Sequence, residues 1–345
     1  MKITAIGLDL AKHVFQVHGV DERGHAVVNK KLRRSQVPTF FSNLSPCLVG
    51  IEACASSHYW ARKLLALGHT VRLIAPQFVR PYVKANKTDA ADAEAICEAV
   101  CRPGMRFVAL KSVENQMLLA LHRARQGFIK ARVAQTNQIR GFLGEFGILI
   151  PQGPKNLEPR MPGILEDADN GLPDTLRQLL YRLVQHARDL RLQAEEIEAE
   201  IKRWHEGNDA SRRLAEIPGI GPLTASALVA SIGDVKAFAN GRQLAAWIGL
   251  VPRQHSSGGK PKLLGISKRG DTYLRTLLVH GARAVIVRAK QKQGYAESWL
   301  GRLLSRRHKN IVACALANHN ARVVWALLAK DRRYEASAGT AAQAA

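Results

Sequence analysis

The order of predicted strands and helices in the first third of the chain narrows the possible folds more than any other feature. Residues 3–9 form an apolar run that ends in an acid, and residues 14–20 alternate as a half-buried strand does. Residues 26–32 return after the turn at 21–24 and have the pattern of a third strand. These segments predict an antiparallel meander of three strands.

The segments that follow alternate between helix and strand. The pattern predicts helices over about 35–45 and 57–67, strands over 47–51 and 70–74, and then a helix that begins near Asp89. Three antiparallel strands followed by this alternation is the element order of the RNase H-like fold. In that order the first and fourth strands are parallel neighbours, and their carboxyl ends lie at the same edge of the sheet.

Four acids fall where this fold brings them together. Asp9 ends the first strand, Glu52 ends the fourth, and Asp89 and Asp92 share one face of an Ala-rich helix. Such carboxylates repel one another unless cations neutralise them, and two Mg²⁺ ions roughly 4 Å apart are the usual arrangement for phosphodiester chemistry. Simpler roles stay open for single acids: Thr88 caps the helix, its first-turn acids complement the dipole, and Glu52 starts a helix.

The chain is strongly basic, with 51 Lys and Arg against 28 Asp and Glu and a formal net charge of +23. This surplus makes nucleic acid the first partner to expect. A membrane surface is the rival, but we find no apolar run near the roughly 18 residues of a membrane span. The N-terminus lacks the pattern of a signal peptide, which predicts a cytoplasmic protein. The five cysteines lack paired CxxC spacing and indicate reduced, mostly buried thiols.

The middle of the chain predicts a long helical hairpin. An apolar stripe over 112–146 and a seven-residue leucine spacing over 174–206 indicate two antiparallel helices, joined by a proline-containing connector. The pattern fits a coiled coil with another copy and an arm packed within one chain about equally well. This segment holds no cluster of candidate catalytic residues.

The last third predicts a nucleic-acid-binding region. Residues 214–228 hold a Pro-Gly-Ile-Gly turn between two helices, typical of a helix-hairpin-helix, in which Gly219 and Gly221 let backbone amides approach a phosphate. A purely structural helix turn is the alternative. Residues 241–310 contain fifteen Lys or Arg and two acids. The flexible Ser-Ser-Gly-Gly loop at 256–259 is either a linker or the position of a nucleophilic serine among cations.

Five motifs together resemble an insertion-sequence transposase of the DEDD-plus-serine type, the IS110 family, and most of all its IS1111 group. The resemblance spans about residues 3–330. The motifs are Gly7-Leu8-Asp9-Leu10-Ala11-Lys12, Gly50-Ile51-Glu52-Ala53, Lys87-Thr88-Asp89-Ala90-Ala91-Asp92-Ala93, Ile217-Pro218-Gly219-Ile220-Gly221 and Ser256-Ser257-Gly258-Gly259-Lys260.

The resemblance implies a RuvC-like domain whose metal-binding tetrad is Asp9, Glu52, Asp89 and Asp92. It also implies a coiled-coil middle and a C-terminal transposase domain with a nucleophilic serine, which maps onto Ser257, with its neighbour Ser256 as the alternative. Such proteins form tetramers, as dimers of dimers, in which the RuvC-like domain of one protomer completes the site of another. The resemblance further implies a structured bridge RNA that pairs with donor and target DNA.

The predicted fold is therefore α/β plus α, in four segments. These are an RNase H-like (RuvC-like) domain over 1–110, a long helical hairpin or coiled coil over 111–206, a mainly helical transposase domain with the helix-hairpin-helix and serine over 207–333, and a disordered tail over 334–345. Backbone phosphates are expected to contact Gly219, Gly221, Lys260, Lys262, Lys268, Arg269 and Arg275.

The predicted function is RNA-guided excision and insertion of the protein's own mobile element by Mg²⁺-assisted serine attack on DNA, with Mn²⁺ as the alternative ion. The protein would act in the bacterial cytoplasm and associate with the nucleoid when bound. A second hypothesis is a metal-only, structure-selective endonuclease of the Holliday-junction type, which forms no protein–DNA adduct. A third, a non-catalytic DNA-binding accessory protein, leaves the four acids unexplained.

Overall fold

A computed structural model describes residues 2–84, 88–153, 155–289, 291 and 296–335. Lys87 of the acidic motif and residues 336–345 of the expected disordered tail lie outside the described residues. The chain divides into two compact units, of which the first ends at Ser112 and the second begins at Val113.

A six-stranded mixed sheet forms the centre of the first unit. Its strands are β1 (Ala5–Asp9), β2 (Val14–Val20), β3 (Ala26–Arg33), β4 (Leu48–Glu52), β5 (Thr70–Ile74) and β6 (Phe107–Val108). They lie in the order β3-β2-β1-β4-β5-β6. β1 pairs antiparallel with β2 and parallel with β4, so the first and fourth strands are the neighbours that the element order predicts. The two-residue β6 is too short to produce a sequence pattern.

Helices cover both faces of this sheet. They are α1 (Val37–Ser42), α2 (Ser57–Ala66), α3 (Pro76–Val79) and α4 (Asp89–Cys101), with short 3-10 turns at Arg34–Gln36 and Arg80–Tyr82. Ile6, Leu8 and Ile51 pack with α1 and α2 in one core cluster, which includes Phe41 and Trp60. Because strand side chains alternate between faces, the residues between these apolar ones point toward the other face.

Two strand glycines let α4 lie directly on that second face. A Cβ on Gly7 would stand 2.0 Å from the carbonyl oxygen of Ala93, and a Cβ on Gly50 would stand 2.8 Å from Val100. Neither strand can therefore carry a side chain there. Asp9 and Glu52 follow these glycines by two residues and share their face.

A long antiparallel helix pair opens the second unit. It consists of α5 (Val113–Glu145) and α7 (Asp174–Gly207), with the short α6 (Met161–Glu166) in the connector. Glu114 accepts a hydrogen bond from Trp204 at 2.6 Å, and the Arg125 guanidinium lies 2.6 Å from a Glu198 carboxylate oxygen. The early residues of α5 thus meet the late residues of α7, so the two helices form an antiparallel hairpin. Coiling with another copy stays a prediction.

The remaining elements include a set of helices that packs around one apolar core. They are α8 (Asp209–Ala215), α9 (Pro222–Ile232), a 3-10 turn at Val235–Ala237, α10 (Gly241–Ile248), β7 (Pro252–Ser257), β8 (Lys260–Ile266), α11 (Thr272–Ala289), α12 (Trp299–Leu304) and α13 (Lys309–Lys330). Leu228, Leu244, Leu278 and Ala317 are completely buried in this core. The expectation of a mainly helical region after the α/β sheet is confirmed.

Helix α13 is, among the described helices, the one long and apolar enough to cross a membrane by length and composition. The sequence interpretation missed it because Asn318, His319 and Asn320 interrupt its apolar residues. Of its apolar window, 44% is buried inside the protein. Val312, Ala317 and Val324 of this helix belong to the core of the second unit.

The cysteines are free thiols, as expected, but their predicted burial is wrong for most of them. Cys47 and Cys97 are buried, Cys314 is intermediate, and Cys54 and Cys101 are exposed. Cys54 lies in the segment between β4 and α2, and Cys101 ends α4, where the helix leaves the sheet.

Candidate active site

The four predicted acids occupy two strand ends and one helix start in the first unit. Asp9 ends β1 and Glu52 ends β4, while Asp89 and Asp92 lie in the first turn of α4. Thr88 caps this helix by accepting a hydrogen bond from the Ala91 amide at 3.2 Å. The cap is therefore confirmed, and it coexists with the placement of both first-turn aspartates on the side of the sheet that carries the other two acids.

The electrostatics of Asp9 show that the acids converge. The pKa of Asp9 is raised to about 6, first by burial and then by the charges of Asp92, Asp89 and Glu52. The Leu10 amide donates a hydrogen bond to the Asp9 carboxylate and opposes this rise. Because the effect of a charge on a pKa falls off with distance, these three acids lie near the half-buried Asp9 carboxylate.

The basic groups near α4 pair with other acids. Lys84 lies 3.0 Å from Glu94 and 3.2 Å from Glu98, and Arg102 also pairs with Glu98. In the part of the chain that the structure describes, no Lys or Arg forms an ion pair with Asp9, Asp89 or Asp92. Within the described residues, the like charges of these three aspartates are thus not compensated by ion pairs.

The donor set of this cluster fits a hard divalent cation, although the ligand shell is not preassembled. Among the described residues, no three His, Cys, Asp or Glu side chains are already arranged to hold a metal ion. The four acids offer only carboxylate oxygens, which Mg²⁺ and Mn²⁺ bind. Burial, and then the negative charge of the other three acids, raise the pKa of Asp9, and a bound cation would favour its ionised form.

The Ser-Ser-Gly-Gly segment belongs to a β-hairpin in the second unit, and its interpretation as a flexible loop is wrong. β7 and β8 pair antiparallel and are joined by Gly258 and Gly259. Both glycines have positive φ, +55° and +75°, as a two-residue type I′ turn requires. Two glycines between strands make a tight turn, and this signal was available in the sequence.

The pairing register separates the two serines. Ser257 pairs with Lys260 and His255 pairs with Lys262. Paired residues share a face, as do residues two apart on one strand. Ser257 therefore lies on one exposed face with His255, Lys260 and Lys262. Without the hairpin, the sequence interpretation missed His255.

Ser256 lies on the opposite face of the hairpin. It pairs with Pro261, and its neighbour Gln254 pairs with Leu263. The Gln254 amide donates a hydrogen bond to the Ser256 hydroxyl at 2.7 Å. This face holds an amide and apolar side chains, and the lysines lie on the Ser257 face.

The cationic side chains near residue 270 that were predicted to contact phosphate differ in their availability to bind it. Lys268 and Arg269 are exposed on the loop between β8 and α11. Arg275 instead donates hydrogen bonds to the carbonyl oxygens of Ile248, at 2.9 Å, and Arg269, at 3.4 Å. Its guanidinium thus holds this loop against the end of α10, a structural role that the sequence interpretation did not anticipate.

The two glycines of the predicted helix-hairpin-helix also differ. Gly219 has φ +89°, and a Cβ there would stand 2.9 Å from the carbonyl oxygen of Gly281 in α11. Close packing against α11 therefore explains why a glycine is needed at position 219, in agreement with the alternative of a purely structural helix turn. Gly221 precedes α9 and is exposed, and a Cβ there would meet nothing within 4 Å. Of the two, Gly221 has its backbone open to a phosphate.

Two family profiles match the chain. One, described as "Transposase" of the DEDD IS110 type, matches residues 6–148, and another, "Transposase IS116/IS110/IS902 family", matches residues 211–297. The first covers the four acids, and the second covers the Ser257 hairpin.

Full-length relatives match as well. A "Probable family 20 transposase" of Pseudomonas aeruginosa is 51% identical over 97% of this chain and 99% of its own. The "Transposase for insertion sequence element IS1328" of Yersinia enterocolitica is 46% identical over 94% and 96%. The "Transposase for insertion sequence element IS1111A" of Coxiella burnetii is 42% identical over 97% and 92%.

Proposed function

Because the chain belongs to the IS110 family of transposases, enzymes that cleave and rejoin DNA, we propose that it excises and inserts its own insertion sequence by serine attack on the DNA backbone. The first unit then acts as an RNase H-like (RuvC-like) domain. The sheet order, with β1 and β4 parallel and adjacent, supports this assignment. The α8–α9 turn acts as a helix-hairpin-helix that holds a phosphate at Gly221.

Asp9, Glu52, Asp89 and Asp92 would hold the divalent cations, Mg²⁺ or Mn²⁺. When bound, such ions polarise a phosphoryl oxygen and stabilise the charge that develops on it during cleavage. The protein contributes the close packing of α4 on Gly7, which sets the separation between the helix acids and the strand acids.

Ser257 attacks one phosphodiester of the DNA backbone. A bond forms between its Oγ and phosphorus, and the bond between phosphorus and a deoxyribose oxygen breaks. The serine proton passes to His255 on the same hairpin face, and the released oxygen leaves as a hydroxyl after it takes up a proton. Attack of a strand hydroxyl on the phosphoserine then rejoins DNA and restores the serine.

Lys260 and Lys262 hold the attacked phosphate, and Lys268 and Arg269 hold the neighbouring backbone. The observation that carries the proposal is the hairpin face shared by Ser257 and the two lysines. A nucleophilic serine needs donors that stabilise the charged transition state, and this face supplies them. The Ser256 face does not.

The partners we propose are double-stranded DNA of the element ends and target, and a structured guide RNA held by a tetramer. The net charge of +23 supports binding to more nucleic acid than one DNA site. Base pairing would then provide most of the sequence specificity. Sequencing the RNA that co-purifies with the protein tests this, since one discrete RNA encoded beside the gene is expected and heterogeneous cellular RNA contradicts guidance.

The serine mechanism is tested with the matched pair Ser257→Ala and Ser256→Ala. The protein is incubated with DNA carrying the element ends and Mg²⁺, denatured, and separated on a gel that resolves protein joined to labelled DNA. We expect Ser256→Ala to keep the adduct and Ser257→Ala to lose it entirely. Loss in Ser256→Ala with retention in Ser257→Ala would overturn the assignment.

A further inference from the structure

A groove with a volume of about 1630 Å³ lies in the second unit, between the base of the β-hairpin and helices α10, α12 and α13. Leu263 and Leu264 of β8 form one wall, and they are 64% and 37% exposed. This volume exceeds the roughly 300–1,000 Å³ of ordinary small-molecule sites. The groove therefore has room for an extended ligand.

Aromatic side chains give the groove a flat surface. Trp299 of α12 and His319 of α13 line it, with ring centroids 5.8 Å apart and ring planes inclined by 33°. Burial, and then the charge of Arg322, lower the pKa of His319, so this ring is neutral at pH 7. Trp325 is fixed in the lining because its indole donates a hydrogen bond to the Phe238 carbonyl at 2.9 Å.

The charged side chains that line the groove are arginines. Arg242, Arg307 and Arg322 line it, and all three are exposed. The described lining residues include no Asp or Glu. Exposed cations without acids fit a polyanion, and the aromatic surface between them fits flat, uncharged rings. A strand of unpaired nucleotides combines these two properties, whereas a duplex keeps its bases inside.

We propose that this groove binds unpaired nucleotides of a nucleic-acid strand, with a base stacked on Trp299 and phosphates held by Arg307 and its two neighbouring arginines. β8 contributes both the wall of the groove and the lysines of the Ser257 face. The groove therefore lies at the base of the hairpin that carries Ser257 beside its turn, and a bound strand that continues from the groove to the attacked phosphate rests on the proposed function. The binding of unpaired nucleotides itself does not require the serine chemistry.

The test is a fluorescence-anisotropy titration of the full-length protein with labelled twelve-nucleotide oligothymidine, the matching oligouridine, and a duplex of equal length. Loss of one base stacked on an aromatic ring weakens binding about tenfold. We therefore expect Trp299→Leu to weaken binding of the unpaired strands about tenfold and leave duplex binding unchanged. The tighter of the two unpaired probes identifies the strand as DNA or RNA.

Arg307→Ala provides an independent variant, and Arg302→Ala is its matched control. Both arginines are exposed near α12, but Arg302 does not line the groove. Arg307→Ala should weaken oligonucleotide binding and reduce its salt dependence by about one phosphate contact, and Arg302→Ala should not. Thermal melting verifies folding, and if Trp299→Leu does not fold, the arginine pair decides.

Unchanged binding of the unpaired strands in Trp299→Leu or Arg307→Ala, or equal loss for strands and duplex, would overturn the groove assignment. The serine mechanism is read separately from adduct formation by the wild-type protein. A wild-type adduct with unchanged binding in the groove variants rejects the groove alone. Selective loss of strand binding without any wild-type adduct rejects the serine mechanism alone.

Discussion

Ser256 and Ser257 are adjacent in sequence, but the hairpin turns them to opposite faces. From the sequence alone, Ser257 was favoured only by the resemblance to a known family. The two serines can be assigned to opposite faces only when it is known that both lie in a strand. The Gly-Gly turn defines that strand and its register. Once the register is known, His255 joins Ser257 on the same face.

Gly7 is a second position at which a single added atom, a Cβ, would change the local structure. A Cβ there would stand 2.0 Å from Ala93 of α4, whereas a Cβ on Gly19 would meet only side chains at 3.4 Å or more. We expect Gly7→Ala to lower the free energy of unfolding by about 3 kcal/mol, because α4 must move off the sheet. Gly19→Ala should cost less than about 1 kcal/mol.

Urea unfolding of these two strand variants checks this prediction. Gly7→Ala should also reduce DNA cleavage more than Gly19→Ala, since α4 carries Asp89 and Asp92. Equal stability of the two variants would show that α4 does not pack on Gly7 as described.

His122 is a buried histidine that links three helices of the second unit. Its Nδ1 lies 3.0 Å from the Tyr273 hydroxyl and its Nε2 lies 3.1 Å from the Ser226 hydroxyl. Burial, and then the charge of Arg125, lower its pKa from 6.5 to about 4. The folded protein therefore keeps this ring neutral at a pH at which the unfolded chain already binds a proton.

The sign of the pH dependence follows from that difference. The stability contributed by neutral His122 is complete above pH 6.5 and is lost as the pH falls toward 4. Between pH 7 and pH 5, the contribution of His122 to the free energy of unfolding falls by about 2 kcal/mol. Other histidines also titrate, so the measurement compares urea unfolding of the wild type with His122→Gln at both pH values.

The difference in unfolding free energy between the wild type and His122→Gln should shrink by that amount at pH 5. A difference that does not change with pH would show that His122 has an ordinary pKa in the folded protein.

At the scale of elements, the arrangement of the first unit was predictable, whereas for the hairpin the sequence offered only the signal of the Gly-Gly turn. The apolar runs over 3–9 and 47–51, the acids Asp9 and Glu52 at their ends and the order of the elements were sufficient to place β1 beside β4. The hairpin strands contain few apolar residues and are exposed, so no burial pattern indicated them. Gly219 shows the same limit, because its partner Gly281 lies 62 residues away along the chain.

The type I′ turn makes a testable claim about the hairpin as an element. Asn tolerates the positive φ of Gly258, whereas Val does not. We expect Gly258→Asn to keep protein–DNA adduct formation within about threefold of the wild type, and Gly258→Val to reduce it at least tenfold. Adduct yields measured over time check this. Full activity of Gly258→Val would show that the tight turn is not needed.

At the scale of the whole molecule, composition predicted the class of partner and missed part of the architecture. The surplus of 51 Lys and Arg over 28 Asp and Glu agrees with a transposase, a protein that acts on DNA. Composition did not reveal α13. The apolar window of this helix is long enough to cross a membrane, but residues of the helix belong to the core of the second unit. Length and hydropathy cannot distinguish these two environments, and packing does.

The central claim is that Ser257 becomes joined to DNA during cleavage, and the most direct measurement is to identify the joined residue. The wild-type protein is allowed to cleave element-end DNA, denatured, and digested with protease and nuclease, and the nucleotide-bearing peptide is sequenced by mass spectrometry. The account predicts a phosphodiester on Ser257. Cleaved DNA with no residue modified, as a metal-only endonuclease produces, or a modification on Ser256, would contradict it.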